Sequence, residues 1–284
     1  MEEKFVDLHV HTNFSDGTFS PKEAVDYAKQ VGLSAIAITD HDTVEGIPFA
    51  IEEGKKQNIE IIPGVELSTE PETGEKSEMH ILGYFVDWED PGFKEALKRF
   101  RSARLERADK MTKKLEDIGI VLNEESRVKM AGDKAIGRLH FAKAIVESGF
   151  AKSIQEVFKK YLNVGKPAYV PKFKLTPEDA IKLIRDAGGI AVWAHPYYVH
   201  YSNRDLIKDM VNAGLAGIEV WHSRHIPSTS RSFKQLASEL HLIATGGSDC
   251  HGPYGQDSAL MGTVKVPYSV VEELREYKTK NKIV

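Results

Sequence analysis

Phe5-Val6-Asp7-Leu8-His9-Val10-His11-Thr12-Asn13-Phe14-Ser15-Asp16-Gly17 is an apolar run that ends in two histidines and a tight polar turn. Residues two apart on a strand point the same way, so His9 and His11 can share one ion. Asp16 then comes from a turn closed by Gly17. Similar junctions recur along the chain. His41 lies in Ile38-Thr39-Asp40-His41-Asp42-Thr43, and Glu66 follows a buried-looking run in Pro63-Gly64-Val65-Glu66-Leu67-Ser68. His80 opens His80-Ile81-Leu82-Gly83-Tyr84, and His195 ends Ile190 to Ala194. Gly246-Gly247-Ser248-Asp249-Cys250-His251-Gly252 closes the set with Asp249 and His251. Residues scattered in this way meet in a β/α barrel, whose strand C-termini surround a single pocket.

Each junction also has a plainer reading. Asp42 or Thr43 can serve as a helix N-cap. Asp40 can orient a ligating imidazole from behind. Glu66 alone reads as a solvated loop glutamate, and His80 alone as a structural histidine. Nine such residues at the ends of successive strands argue for a multi-metal centre instead. Imidazole and carboxylate donors without thiolate suit Zn²⁺, Mn²⁺ or Fe²⁺. Nine donors exceed what one or two tetrahedral ions need, whereas three divalent ions sharing bridging groups would use them. Such a cluster generates hydroxide at neutral pH and clamps a phosphoryl group, so phosphate esters are the expected substrates.

Composition sets the frame. At 284 residues, 41% hydrophobic and 28% charged, the chain suits one large barrel or two ordinary domains. A single cysteine, Cys250, excludes an internal disulfide and fits a reducing compartment. A formal charge of −4 provides no general attraction for nucleic acid or membrane. The N-terminus lacks a basic and apolar leader, and no apolar run is long enough to span a bilayer. The expectation is a cytoplasmic protein with no membrane contact and no obligate protein partner.

Seven apolar runs suit parallel strands buried on both faces: Phe5 to Val10, Ala35 to Thr39, Ile59 to Ile62, His80 to Val86, Ile190 to Ala194, Ile218 to Trp221 and Leu242 to Thr245. Ser20-Pro21-Lys22-Glu23 reads as a capping-box helix start, with Ala24, Ala28 and Val31 facing the core and Gly32 ending the helix. Thr176-Pro177-Glu178-Asp179 repeats the device. Between the fourth and fifth runs the alternation stops, and Phe93 to Ile118, Leu139 to Gly149 and Ile154 to Leu162 read as helices. The expected organisation is therefore an α/β barrel over 1–91 and 166–284, with a helical insertion over 92–165.

Taken in order, His-x-His with Ser-Asp-Gly, Thr-Asp-His-Asp, Pro-Gly-Val-Glu, Ala-His-Pro and Gly-Ser-Asp-x-His-Gly resemble the polymerase and histidinol phosphatase (PHP) family of metal-dependent phosphoesterases. The resemblance covers almost the whole chain. It implies a distorted (β/α)7 barrel, a trinuclear site and a helical insertion that caps the pocket. By motif, His9, His11, Glu66 and Asp249 would hold one ion; Glu66, His80 and His195 a second, with Glu66 bridging; and Asp16, His41 and His251 a third. Glu66, Asp249 and His195 would place the attacking hydroxide between ions. The subgroup resembled acts on nucleoside phosphates, such as 3′,5′-nucleoside bisphosphates, or on 5′-phosphorylated short RNA.

In that subgroup Gly137-Arg138-Leu139-His140 and Gly165-Lys166-Pro167-Ala168-Tyr169-Val170-Pro171 belong to the insertion. Arg138 would bind phosphate, joined by Arg101 or Arg104; a guanidinium fork suits phosphate oxygens. A salt-bridged, solvated helix face is the alternative for Arg101 and Arg104. Lys166 either contacts substrate or fixes the return loop, and His222 either contacts substrate or is structural. Two other functions compete. A metal-dependent amidohydrolase also begins with His-x-His, but no strand-end lysine is present. A non-catalytic metal- or nucleotide-binding module is the other.

Overall fold

The computed structural model describes residues 3–71, 79–126, 137–171, 173, 175–198, 204–253 and 259–283. The side chains of residues 101, 104 and 198 lie outside that description. Each of the seven apolar runs carries a strand: β1 (Phe5–Val10), β2 (Ala35–Ile38), β3 (Glu60–Thr69), β4 (Met79–Tyr84), β5 (Ile190–Trp193), β6 (Gly217–His222) and β7 (Ile243–Gly247). An eighth strand, β8 (Val266–Pro267), adds to the seven expected, and two residues are too few to leave a pattern in the sequence. The strands lie in the order β7-β6-β5-β4-β3-β2-β1-β8. The seam between β1 and β7 is drawn together at the rim. There the His11 N–H donates to Cys250 O at 2.9 Å, and the Cys250 N–H donates to His9 O at 3.2 Å.

β4 departs from the all-parallel expectation: it runs antiparallel to both β3 and β5. The reason is the connection. Only nine residues separate Thr69 from Met79, fewer than the dozen or so a parallel crossover requires. The reversal matters for the site. The start of β4 lies beside the end of β3, with Ser68 paired to His80. His80 therefore reaches the same rim as residues that follow their strands.

Helices α1 (Pro21–Gln30), α2 (Ile47–Gln57), α3 (Pro91–Asp117), α4 (Arg138–Glu147), α5 (Ile154–Val157), α6 (Pro177–Asp186), α7 (Arg204–Ala213), α8 (Pro227–Glu239) and α9 (Ser269–Lys280) complete the fold. Ser20 starts α1 with a full capping box: its Oγ accepts the Glu23 N–H at 3.3 Å, and the Glu23 carboxylate accepts the Ser20 N–H at 2.7 Å. Ala24, Val25 and Ala28 are buried, whereas Val31 is the half-buried C-cap. Val25 thus takes the inner place expected of Val31. Thr176 caps α6 through the Asp179 N–H at 3.1 Å. No helix among the described residues is long and apolar enough to cross a membrane.

Packing divides the chain into two compact units, Met1–Ala96 with Lys174–Val284, and Leu97–Phe173. The first holds every strand among the described residues. Its core includes Val6, Leu8, Ala37, Ile62, Leu82, Val192 and Ile243, joined by Val270, Val271 and Leu274 from α9. The second has its own apolar centre of Met111, Leu115, Phe141, Ile145, Val157 and Leu162. Within it, Arg107 Nε donates to Val170 O at 2.9 Å, and Lys114 Nζ donates to Tyr169 O at 2.8 Å. These bonds tie the return segment to α3.

Candidate metal centre

Glu66 is the hub of the strand-end cluster. Its Oε2 lies 3.3 Å from His9 Nε2, 3.2 Å from His11 Nε2 and 3.1 Å from His41 Nδ1. Its Oε1 lies 2.9 Å from both His80 Nδ1 and His195 Nε2, which are themselves 3.3 Å apart. Asp249 Oδ1 joins the first group, 3.5 Å from His9 Nε2 and 3.2 Å from His11 Nε2. Asp16 Oδ1 lies 3.2 Å from His251 Nε2, and Asp16 is 3.8 Å from both His11 Nδ1 and His41 Nε2. Six strands, β1 to β5 and β7, thus bring all nine residues to one rim. His41 reaches toward both the Glu66 side and the Asp16 side.

These spacings fit divalent ions. Donors on a tetrahedral ion with bonds of about 2.1 Å lie about 3.4 Å apart. The atoms around Glu66 match that edge length. Several are also orphaned: His9 Nε2, His11 Nε2, His41 Nδ1 and Glu66 Oε2 are buried and make no hydrogen bond among the described residues. Buried polar atoms left without partners are costly, and a cluster of them pointing at one another calls for a bound cation. Burial alone would raise the Glu66 pKa, but His41, His80 and His9 hold the carboxyl well below its ordinary range.

The backbone is shaped for the task. His195 and Asp249 both adopt positive φ, 26° and 56°. Such conformations are rare for side-chain-bearing residues and cluster at functional sites. Gly247 lets β7 approach β1: a Cβ there would lie 2.4 Å from His9 Cβ.

Asp40 and Asp42 differ from expectation. Asp40 accepts the Thr12 N–H at 2.7 Å, the Thr12 hydroxyl at 2.6 Å and the Ser15 hydroxyl at 2.6 Å. It holds the turn that carries Asp16 rather than orienting an imidazole, because both of its oxygens are taken by that turn. Asp42 accepts the Ser68 N–H at 3.0 Å and so ties β3. It does not cap α2, whose N-cap is Gly46.

Two acids escaped the sequence reading. Glu219, on β6, accepts from His9 Nδ1 at 3.1 Å and from the His195 N–H at 2.7 Å. Asp7 accepts the Ser248 N–H at 2.8 Å across the barrel seam. The signal was present: each is a lone acid inside an apolar strand, a place that tolerates a carboxylate only with partners. His222 is buried, its Nε2 3.6 Å from Asp249 Oδ2. With no exposed side-chain surface, it stands behind Asp249 rather than at a substrate surface.

Arg138 and Lys166 belong to the other unit. Arg138 is half-buried, its guanidinium carbon 5.8 Å from the centre of the Phe158 ring, and Lys166 is exposed. The side chains of Arg101 and Arg104 lie outside the described residues. Trp193 is core and Phe14 stacks on Phe49 with ring centres 5.5 Å apart.

The chain is similar to known proteins in sequence and in fold. The chain is 36% identical over 252 residues to the 3′,5′-nucleoside bisphosphate phosphatase of Chromobacterium violaceum, covering 87% of each. It is 37% identical over 252 residues to the 5′-3′ exoribonuclease Rnm of Escherichia coli, covering 87% of this chain and 85% of the relative. A solved structure from Chromobacterium violaceum, described as an amidohydrolase with bound sulfate, superposes with a TM-score of 0.80 at 34% identity, over 95% of this chain and 96% of that one. A Bifidobacterium adolescentis structure described as a metal-dependent phosphoesterase superposes with a TM-score of 0.82 at 28% identity, over 96% of both chains. The PHP domain family model matches residues 7–169, more than half of the chain, and with these relatives it makes the protein a member of the PHP domain family.

Proposed function

We propose that this chain is a trinuclear phosphoesterase acting on nucleoside phosphates, such as 3′,5′-nucleoside bisphosphates, or on 5′-phosphorylated short RNA. Hydrolysis of phosphate esters with divalent metals is the activity its family membership gives it. The observation that carries the trinuclear reading is Glu66, whose two oxygens face five imidazole nitrogens at 2.9–3.3 Å. Oε2 with His9, His11 and Asp249 suits one ion. Oε1 with His80 and His195 suits a second. Asp16, His41 and His251 suit a third.

Divalent ions bound there supply Lewis acidity to the phosphoryl oxygens and acidify water for attack on phosphorus. The chain's own residues do the positioning. Glu66, anchored in β3 and almost fully buried, would hold two ions through its two oxygens. By the family resemblance, Glu66, Asp249 and His195 would hold the attacking oxygen. Asp16 and His251 are the most solvent-open donors, at 44% and 28% exposure, and so lie on the side from which substrate arrives. Phosphate-binding roles for Arg138, Arg101, Arg104 and Lys166 rest on the family resemblance. Truncating a guanidinium that binds phosphate raises KM about 10-fold or more. Arg138→Ala should do so with a smaller change in kcat.

The test is phosphate release by Mn²⁺-loaded protein from 3′,5′-nucleoside bisphosphates, mononucleotides and short 5′-phosphorylated RNA. No release from any of them sinks the proposal. The name of the sulfate-bound Chromobacterium structure brings C–N substrates into the same assay. Their turnover without phosphate release would replace the phosphoesterase reading with an amidohydrolase.

A further inference from the structure

β6 is the one long strand that supplies none of the nine candidate ligands, yet two of its side chains are buried in the centre. Glu219 and His222 are three apart, and regular alternation would send them to opposite faces. A bulge corrects this. Glu219 pairs with Thr245, but Trp221 pairs with Gly246, so β6 carries one extra residue against β7. Bulges re-aim side chains in this way.

Both residues then face ligands from other strands. Glu219 accepts from His9 Nδ1 at 3.1 Å, and its other oxygen accepts the His195 N–H at 2.7 Å. A carboxylate only accepts, so the His9 proton sits on Nδ1 and Nε2 is left to face the centre. The other Glu219 bond, from the His195 N–H, pins the backbone of His195 in its positive-φ conformation. His222 Nδ1 accepts the Arg224 N–H at 3.2 Å, which puts the imidazole proton on Nε2. That atom is buried, makes no hydrogen bond among the described residues, and faces Asp249 Oδ2 at 3.6 Å, a few tenths of an ångström beyond bonding range. Because both Glu219 oxygens are engaged, Glu219 and His222 act as supports, and together with His9 they do not form a further ion site.

We propose that β6 is the positioning strand of the centre: Glu219 fixes His9 and His195, and His222 fixes Asp249. The inference rests on the metal-centre reading. Partners behind metal ligands typically contribute 10–100-fold to ion affinity.

The experiment titrates Mn²⁺ alone into ion-free parent protein and into Glu219→Gln, His222→Leu and His222→Gln, by calorimetry. Glutamine at 219 keeps the size but can accept only one of the two bonds. Glutamine at 222 places an N–H where imidazole Nε2 stands; leucine does not. Expected are unchanged ion stoichiometry throughout, about 10–100-fold weaker binding in Glu219→Gln and His222→Leu, and near-parent binding in His222→Gln. Melting of the ion-free proteins separates this from misfolding, and the leucine–glutamine contrast at 222 stands even if Glu219→Gln is unstable. Parent-like affinity in both weakened variants overturns the proposal. So does loss of a whole ion equivalent in Glu219→Gln, which would make Glu219 a ligand. A parent that binds no Mn²⁺ overturns the metal centre itself, and this inference with it.

Discussion

Glu66 is the carboxylate on which the proposed site converges, and its two oxygens face separate sets of imidazoles. Glu66→Gln keeps the shape but turns one oxygen into a donor, so only one side can keep its ligand. The expected outcome is loss of at least one bound ion by elemental analysis and a fall in phosphate release of more than about 100-fold. Unchanged stoichiometry would place the bridge elsewhere. The imidazoles around it make a second prediction. In the ion-free chain burial opposes charge on His11, but the Asp249 and Glu66 carboxylates overcome it and push its pKa up to about 10. His9 is likewise raised well above its ordinary value against the cost of burial, by Glu66, Glu219 and Asp249. His41 goes the other way, to about 3, because burial and the neighbouring His11 and His80 outweigh Glu66 and Asp16. Ligation needs neutral imidazole, so an ion must displace the protons on His9 and His11. Affinity therefore weakens as pH falls through the neutral range. Calorimetry in buffers of different ionisation heats should detect proton release on binding; an identical heat in every buffer would contradict it.

At the scale of elements, the strands and caps were legible and their mutual registers were not. Apolar runs mark a strand because burial on both faces demands them, and Ser20 marks a helix start because its hydroxyl satisfies an orphan N–H. The direction of β4, the bulge in β6 and the two-residue β8 depend on partners distant in the chain. For that reason the sequence pointed to His80 as a candidate without explaining its place, and it left Glu219 among ordinary strand residues. Eight of the nine candidate residues stand in short local motifs that a sequence displays; His80 has no such motif. Close strand approach is also an element-scale property. Gly247 permits β7 to lie against β1, where an added Cβ would stand 2.4 Å from His9 Cβ and 2.5 Å from His9 N. Gly247→Ala must push β1 outward, at a cost of about 1–3 kcal/mol. Thermal melting of the ion-free protein should show that loss, and an unchanged midpoint would mean that the seam can relax.

For the whole molecule, the candidate ligands matter because they come from both ends of one compact unit. His9 is on its first strand and His251 follows β7, whereas the Leu97–Phe173 unit contains none of the nine. An unfolded chain cannot hold nine donors at these separations, so ions bind the folded barrel and not the unfolded chain. Linkage then stabilises the fold by RT ln(1 + [L]/Kd), about 2.7 kcal/mol per site at an ion concentration 100 times Kd. The dependence is logarithmic, so the midpoint continues to climb after every site is filled, because the unfolded state is still being depleted. The expected result is a melting temperature that rises with each tenfold increase in Mn²⁺ and returns to the ion-free value with chelator. Hydrogen exchange should show added protection in β1, β3 and β5, whose rim residues are tied together by the ions. A midpoint that stops rising at saturation would mean that the unfolded chain binds ions comparably, and a midpoint indifferent to ions would mean that the nine residues do not act as one site.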